Sequence, residues 1–209
     1  MKKFIYSLLS ILFSLSFTAN AQDAIEVRFL GNAPDIIDFA WSYVTADEAA
    51  GDHIDDEEEE CCTNESLNAV KHALEAYRTG EPQGENVTFT VDRKAGYIRY
   101  EYQQDQYSVV SEMCYWNESD RKHKLFACKV ELLIDGKRLY PGQFDGLEFY
   151  RYDPATRKMS PVDVGIEVEY HNISYALPRT GKDITVTRWD DKGRATQSTL
   201  KWNGQGFTK

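Results

Sequence analysis

Hydrophobic and polar residues follow different rhythms along the chain, and each rhythm predicts an element. Lys2 and Lys3 precede an apolar run from Phe4 to Phe17, which gives way to the small residues of Ala19-Asn20-Ala21. The run is shorter than the roughly 20 residues a membrane-spanning helix needs, and no later segment is apolar enough to span. It predicts a cleaved signal peptide over residues 1–21, cut after Ala21. Gln22 would open the mature chain, and because it is not a cysteine no lipid anchor is expected.

After a strand-like start from Ala24 to Leu30, Asn32-Ala33-Pro34-Asp35 carries a helix-opening signal: a capping side chain, a proline and an acid at the positive helix end. Ile36, Ile37, Ala40, Trp41 and Val44 then recur near the helical period. From Asp47 to Glu60 the apolar period is lost and acids dominate, so this stretch is expected to be an exposed loop. A second helix follows, with Thr63 or Asn64 as its cap, a stripe of Leu67, Val70, Leu74 and Tyr77, and Gly80 as its left-handed stop.

From Asn86 onward the rhythm becomes alternating. Val87, Phe89 and Val91 share one face, and so do Ile98, Tyr100 and Tyr102, with Asp92 to Gly96 as the hairpin loop between them. Turn signals recur at Asp135-Gly136, Asp153 to Thr156, Arg179 to Gly181, Asp190 to Gly193 and Asn203-Gly204. An aromatic followed by Asn or Asp ends several runs: Trp116-Asn117, Tyr152-Asp153, Trp189-Asp190 and Trp202-Asn203. The strands are too few for a propeller of about four four-stranded blades. The expected fold is α+β: two N-terminal helices followed by an antiparallel β-meander or partial barrel. It forms one domain over 22–209, with the helical part at about 32–80 and the sheet part at about 86–209.

Charge narrows the partners. The formal charge of −10 becomes −12 once Lys2 and Lys3 leave with the signal. Such a chain repels nucleic acid and anionic membranes, whose binding relies on Lys and Arg. Export, read as periplasmic or secreted, places Cys61, Cys62, Cys114 and Cys128 where disulfides persist. If the hairpin from Ser111 to Val130 is symmetric about Arg121, Cys114 faces Cys128 and Trp116 faces Phe126. A cross-strand disulfide is then geometrically open, the alternative being two buried thiols. Cys61 and Cys62 are left to pair with each other, with another chain, or each with one hairpin cysteine.

The run Gly51-Asp52-His53-Ile54-Asp55-Asp56, continuing through Glu57–Glu60 to Cys61-Cys62, offers every metal-ligand type, with His72 nearby. Adjacent cysteines converge poorly on zinc, and the acids lack the alternation and glycine of a calcium loop. A solvated linker is expected, with no metal and no cofactor. Hydrolase, P-loop and dinucleotide motifs are missing from the sequence. His123, in Arg121-Lys122-His123-Lys124, and His171, beside Asn172, read as solvated turn residues. The sequons at Asn64, Asn86, Asn117 and Asn172 read as turn or cap residues.

Tyr97, Tyr140, Tyr150 and Trp189 are candidate surface-binding aromatics, in a wider set with Tyr115 and Tyr170, although aromatics in strands more often pack inward. The strings SEMCYWNESD, KHKLFA, PGQFDGLEFYRYD, LPRTGKDITVTRWDD and LKWNGQGF resemble those of a group of uncharacterised small exported bacterial proteins. That resemblance implies export and assigns no residue a role. The expectation is a non-enzymatic module that binds a macromolecule or glycan through its sheet surface and hairpin loops. The alternative is a small carboxylate-dependent hydrolase acting on glycans.

Overall fold

The computed structural model describes residues 24–50, 62–134, 137–138, 146–166, 173–190 and 192–208. The expected signal peptide, His53, Cys61 and the rest of the acidic run from Gly51, the Asp135-Gly136 turn, Tyr140, Tyr170, His171 and Asn172 lie outside the described residues. In chain order the elements are β1 (Ile25–Glu26), α1 (Ile36–Ala50), α2 (Cys62–Thr79), β2 (Val87–Asp92), β3 (Tyr97–Gln104), β4 (Tyr107–Asn117) and β5 (Lys124–Ile134). They continue with β6 (Lys137–Arg138), β7 (Gly146–Asp153), β8 (Lys158–Pro161), β9 (Ile173–Ala176), β10 (Ile184–Trp189), β11 (Ala195–Trp202) and β12 (Phe207–Thr208). Among the described residues all strand pairing is antiparallel, and the fold is α+β.

The expectation of two leading helices needs correction. β1 precedes them and joins the sheet edge, where Ile25 pairs with Met159 of β8. The large sheet runs β1-β8-β7-β5-β4-β3-β2, with β6 on β5, and a second sheet runs β12-β11-β10-β9. Neither closes into a barrel.

Asp35, rather than Asn32, caps α1. Its Oδ1 accepts from the amides of Ile37 at 2.8 Å and Asp38 at 3.2 Å, while Asp38 Oδ2 accepts from the Asp35 amide at 2.9 Å. Two otherwise orphaned helix-end amides, and the cap's own, are thereby satisfied. α1 continues to Ala50 and α2 begins at Cys62, so the loop expected from Asp47 starts later, and Thr63 and Asn64 are helical rather than caps. Gly80 ends α2 at φ 76°, and the amide of Glu81 reaches back to Ala76 O at 2.9 Å.

Two cores flank the large sheet. Under the helices, Ile36, Phe39, Leu74, Met113, Phe126 and Tyr152 pack with Cys128. On the other face, Trp116, Leu125, Phe149, Ile184, Val186 and Phe207 pack between the two sheets with Cys114. The molecule is therefore three layers deep: helices, large sheet, small sheet. The run Leu125-Phe126-Ala127-Cys128 is buried throughout because β5 has a core on each face.

The β4–β5 register overturns the proposed cystine. Cys114 pairs with Ala127, Met113 with Cys128, Tyr115 with Phe126 and Trp116 with Leu125. This is one residue away from symmetry about Arg121, and a one-residue slip sends a side chain to the opposite face. Cys114 and Cys128 therefore occupy different cores, and both are free buried thiols.

Candidate functional site

Three polar constellations stand out, and each contains one residue that the sequence singled out, Tyr97, His123 or Trp189. The most buried lies between the sheets. On the inter-sheet face, β4 places Glu112 between Arg99 of β3 and Lys129 of β5. Its Oε1 accepts from the Tyr97 hydroxyl at 2.6 Å and from Arg99 Nη1 at 3.1 Å. Its Oε2 accepts from the Leu177 amide at 3.2 Å and lies 3.3 Å from Lys129 Nζ. Lys129 also donates to Glu131 at 2.8 Å, and Arg99 to Glu101 at 3.0 Å.

Burial pushes the Glu112 carboxyl up, but Lys129, the Tyr97 hydroxyl, the Leu177 amide and Arg99 outweigh it and hold the group below its ordinary value. Burial and the bond to Glu112 push the Tyr97 phenol up. With both oxygens engaged, Glu112 works as a clamp: Leu177 follows β9, so the carboxylate ties the small sheet to the large one. Tyr97 is only 5 % exposed. It is a core member of this clamp, which corrects its reading as a surface aromatic.

The second constellation gathers where β4, β5 and β7 turn. Asp120 Oδ1 accepts from the amides of Lys122 at 2.8 Å and His123 at 3.0 Å, closing the hairpin tip, and its Oδ2 pairs with His123 Nδ1. These bonds, led by His123, lower the Asp120 carboxyl to about 2. His123 Nε2 lies 3.8 Å from Asp153 Oδ1 on the β7 turn. Asp153 itself accepts from the Ala155 amide at 2.8 Å. Buried Glu118 accepts from Arg151 Nε at 2.6 Å, and Arg151 also reaches Gln205 O at 3.2 Å.

His123 is thus half-buried and oriented between two aspartates, not the freely solvated turn residue expected. The signal was the Asp-x-x-His spacing, which lets an aspartate cap the turn and hold the imidazole at once. Ligand atoms of Glu118, Asp120 and His123 lie within 4.8 Å of one another. Glu118, however, is neutralised by Arg151, and Asp120 is saturated by the turn it closes.

The third is a surface. Inward residues of the small sheet, Ile184, Val186 and Tyr175, alternate with an outward set. Pairing lines up Ala176, Thr185 and Thr199 in one outward row, Ser174, Thr187 and Gln197 in the next, and Trp189 with Ala195 beyond. Gln197 and Thr199 are exposed and Trp189 is half-buried on this face, while Tyr115, also half-buried, packs on the helix-side core. Tyr150 is 1 % exposed with its hydroxyl donating to Glu148 at 2.8 Å, and is corrected to a core residue.

Glu148 also accepts from Tyr43 at 2.9 Å. It sits beside an open groove of about 360 Å³ lined by Leu147, Phe149, Val162, Val164 and Ile166. Among the described residues no helix is long and apolar enough to cross a membrane. Comparison with protein-family models, with curated proteins and with solved structures returned no significant match.

Proposed function

We propose that this chain is an exported, non-enzymatic binding module that takes a glycan on the open face of its small sheet. The observation that carries the reading is the outward surface of β9, β10 and β11. It sets threonine and serine hydroxyls and the Gln197 amide in register beside the Trp189 indole. Sugars offer the matching chemistry: hydroxyls for in-plane hydrogen bonds, and an apolar C–H face that stacks on an aromatic ring. The three outward rows themselves carry no charged side chain, while Lys201 follows on the same face of β11 and Arg188 and Asp190 flank Trp189.

Affinity electrophoresis against neutral soluble polysaccharides, and sedimentation with peptidoglycan, test the reading. Trp189→Ala combined with Gln197→Ala is expected to weaken retention at least tenfold, as loss of an aromatic anchor does. Equal retention of the native and doubly substituted proteins, or no retention on any polymer, overturns it.

A further inference from the structure

We propose that the pocket formed by the β2–β3 turn, the end of β4 and the loop from Pro178 to Lys182 binds a phosphate group. Its volume is about 130 Å³, and Lys94, Tyr115, Trp116, Asn117, Gly181 and Lys182 are among the residues that line it. Sites that enclose a whole organic ligand run to roughly 300–1,000 Å³, so this one fits a single small group. It is separate from the small-sheet face, since Lys182 precedes β10 and Trp189 ends it.

Bonds within the protein hold the walls in place. Arg179 Nε donates to Asp92 Oδ2 at 3.2 Å and joins the two loops. Trp116 Nε1 donates to Lys182 O at 2.8 Å, and the Tyr115 amide donates to Gly96 O at 3.1 Å. Asp92 Oδ1 accepts from the Ala95 amide at 2.9 Å, which fixes the turn carrying Lys94. Each wall is tied to the sheet or to the facing loop, so little ordering is left for a ligand to impose.

The ligand class follows from the lining. The chain has 34 acidic against 24 basic residues, yet no carboxylate lines this pocket. The ammonium groups of Lys94 and Lys182 have no ion pair among the described residues. Acids close in sequence are already engaged, Asp92 by Arg179 and the Ala95 amide and Asp183 by the Trp202 amide at 3.0 Å. Asn117 Oδ1 accepts from Lys124 Nζ at 2.8 Å, which leaves the Asn117 amide nitrogen as a donor. Lys124, 4.1 Å over the Tyr115 ring, adds a third positive charge. The backbone amides of Gly181 and Lys182 have no acceptor among the described residues. Donors of this kind, two of them unpaired cations, select an anion. A phosphate group carries about −1.5 to −2 charge at pH 7 and three acceptor oxygens, and so matches two ammonium groups better than a carboxylate does.

Nitrogen-15 NMR titration of the protein with inorganic phosphate at constant ionic strength tests the assignment. Saturable shifts are expected at the Gly181 and Lys182 amides and the Trp116 indole, with acetate bound about fivefold more weakly for its smaller charge. Lys94→Gln and Lys182→Gln should each weaken phosphate about three- to fivefold, as loss of one exposed charge contact does, and together about tenfold or more. Lys192→Gln, which removes the same charge from the β10–β11 turn, should change nothing. Glycerol phosphate separates the two sources of the group. Tighter binding than inorganic phosphate supports a phosphate at the end of an organic ligand, and weaker binding supports the free ion. The proposal is overturned if none of the three reporter groups shows a saturable shift, or if acetate binds as tightly as phosphate. It is equally overturned if Lys192→Gln weakens binding as much as Lys182→Gln, which would make the effect one of bulk charge.

Discussion

Glu112 is the residue through which acid should act on the structure. Its folded-state carboxyl lies below its ordinary value, so as pH falls the unfolded chain takes up this proton first. The contribution is fully present above the unfolded value of about 4.5 and is lost as pH falls through the lower folded value. Urea unfolding as a function of pH should show stability declining below about pH 4.5, with a shallower decline in Glu112→Gln. Glu112→Leu leaves the Tyr97 hydroxyl and Leu177 amide unsatisfied but spares the Lys129–Glu131 and Arg99–Glu101 pairs. It should cost about 2–4 kcal/mol near neutral pH. The cysteines show where residue-level reading of the sequence failed. Arg121 adopts φ 59°, and the Glu118 amide bonds His123 O at 3.1 Å, so the turn centres between Asp120 and Arg121. Nothing in a run of basic residues announces that half-step. Because burial pushes both thiols up, Cys114 and Cys128 should resist alkylation in the native protein and react after unfolding without reductant. A 114–128 cystine recovered by non-reducing mass spectrometry would contradict the register.

At the scale of elements, periodicity was a sound guide wherever one face is buried and one is not. Val91 pairs with Ile98, Phe89 with Tyr100 and Val87 with Tyr102, the two stripes that alternation placed on common faces. The loop between them works through two residues. Asp92 accepts the Ala95 amide at 2.9 Å, and Gly96 sits at φ 67° with its α-carbon against Tyr115, so close that a Cβ there would lie 2.8 Å from the ring. Gly96→Ala therefore combines backbone strain with a clash and should destabilise the protein by about 1–3 kcal/mol in thermal or urea unfolding. A neutral result would mean that Tyr115 can move aside, which its contacts with Phe39 and the Lys124 ammonium oppose. Helix boundaries were less legible. Asn32 and Asp35 are both competent caps, and the choice falls to Asp35 because Asp38 stands three residues on to return the bond.

The third layer was the least legible feature at the scale of the molecule. A meander pattern fits one sheet as well as two, and β9 to β12 become a separate sheet only because Ile184, Val186, Leu200 and Phe207 find Trp116, Leu125 and Phe149 to pack against. The doubly buried Leu125-Phe126-Ala127-Cys128 run carried a trace of that arrangement, since a strand facing solvent on one side alternates and this one does not. The two sheets are joined by the Glu112–Leu177 bond, by Trp116 Nε1 donating to Lys182 O at 2.8 Å and by Phe149 and Phe207 in ring contact at 5.9 Å. β10 and β11 outrun this junction: Ala195 to Thr199 are exposed along β11, while Leu200 is buried. Stability should therefore be graded across the layers. Native-state hydrogen exchange is expected to be slowest in β4 and β5, which carry a core on each face, intermediate in the inner half of β10, and fastest in β11 from Ala195 to Thr199. If the clamp couples the layers, Glu112→Gln will lower protection in β9 and β10 more than in α1, whose contacts lie on the opposite face of the large sheet. Equal losses in α1 and β10 would instead mean that the three layers open only together, as one cooperative unit, and that Glu112 stabilises the whole fold rather than the junction.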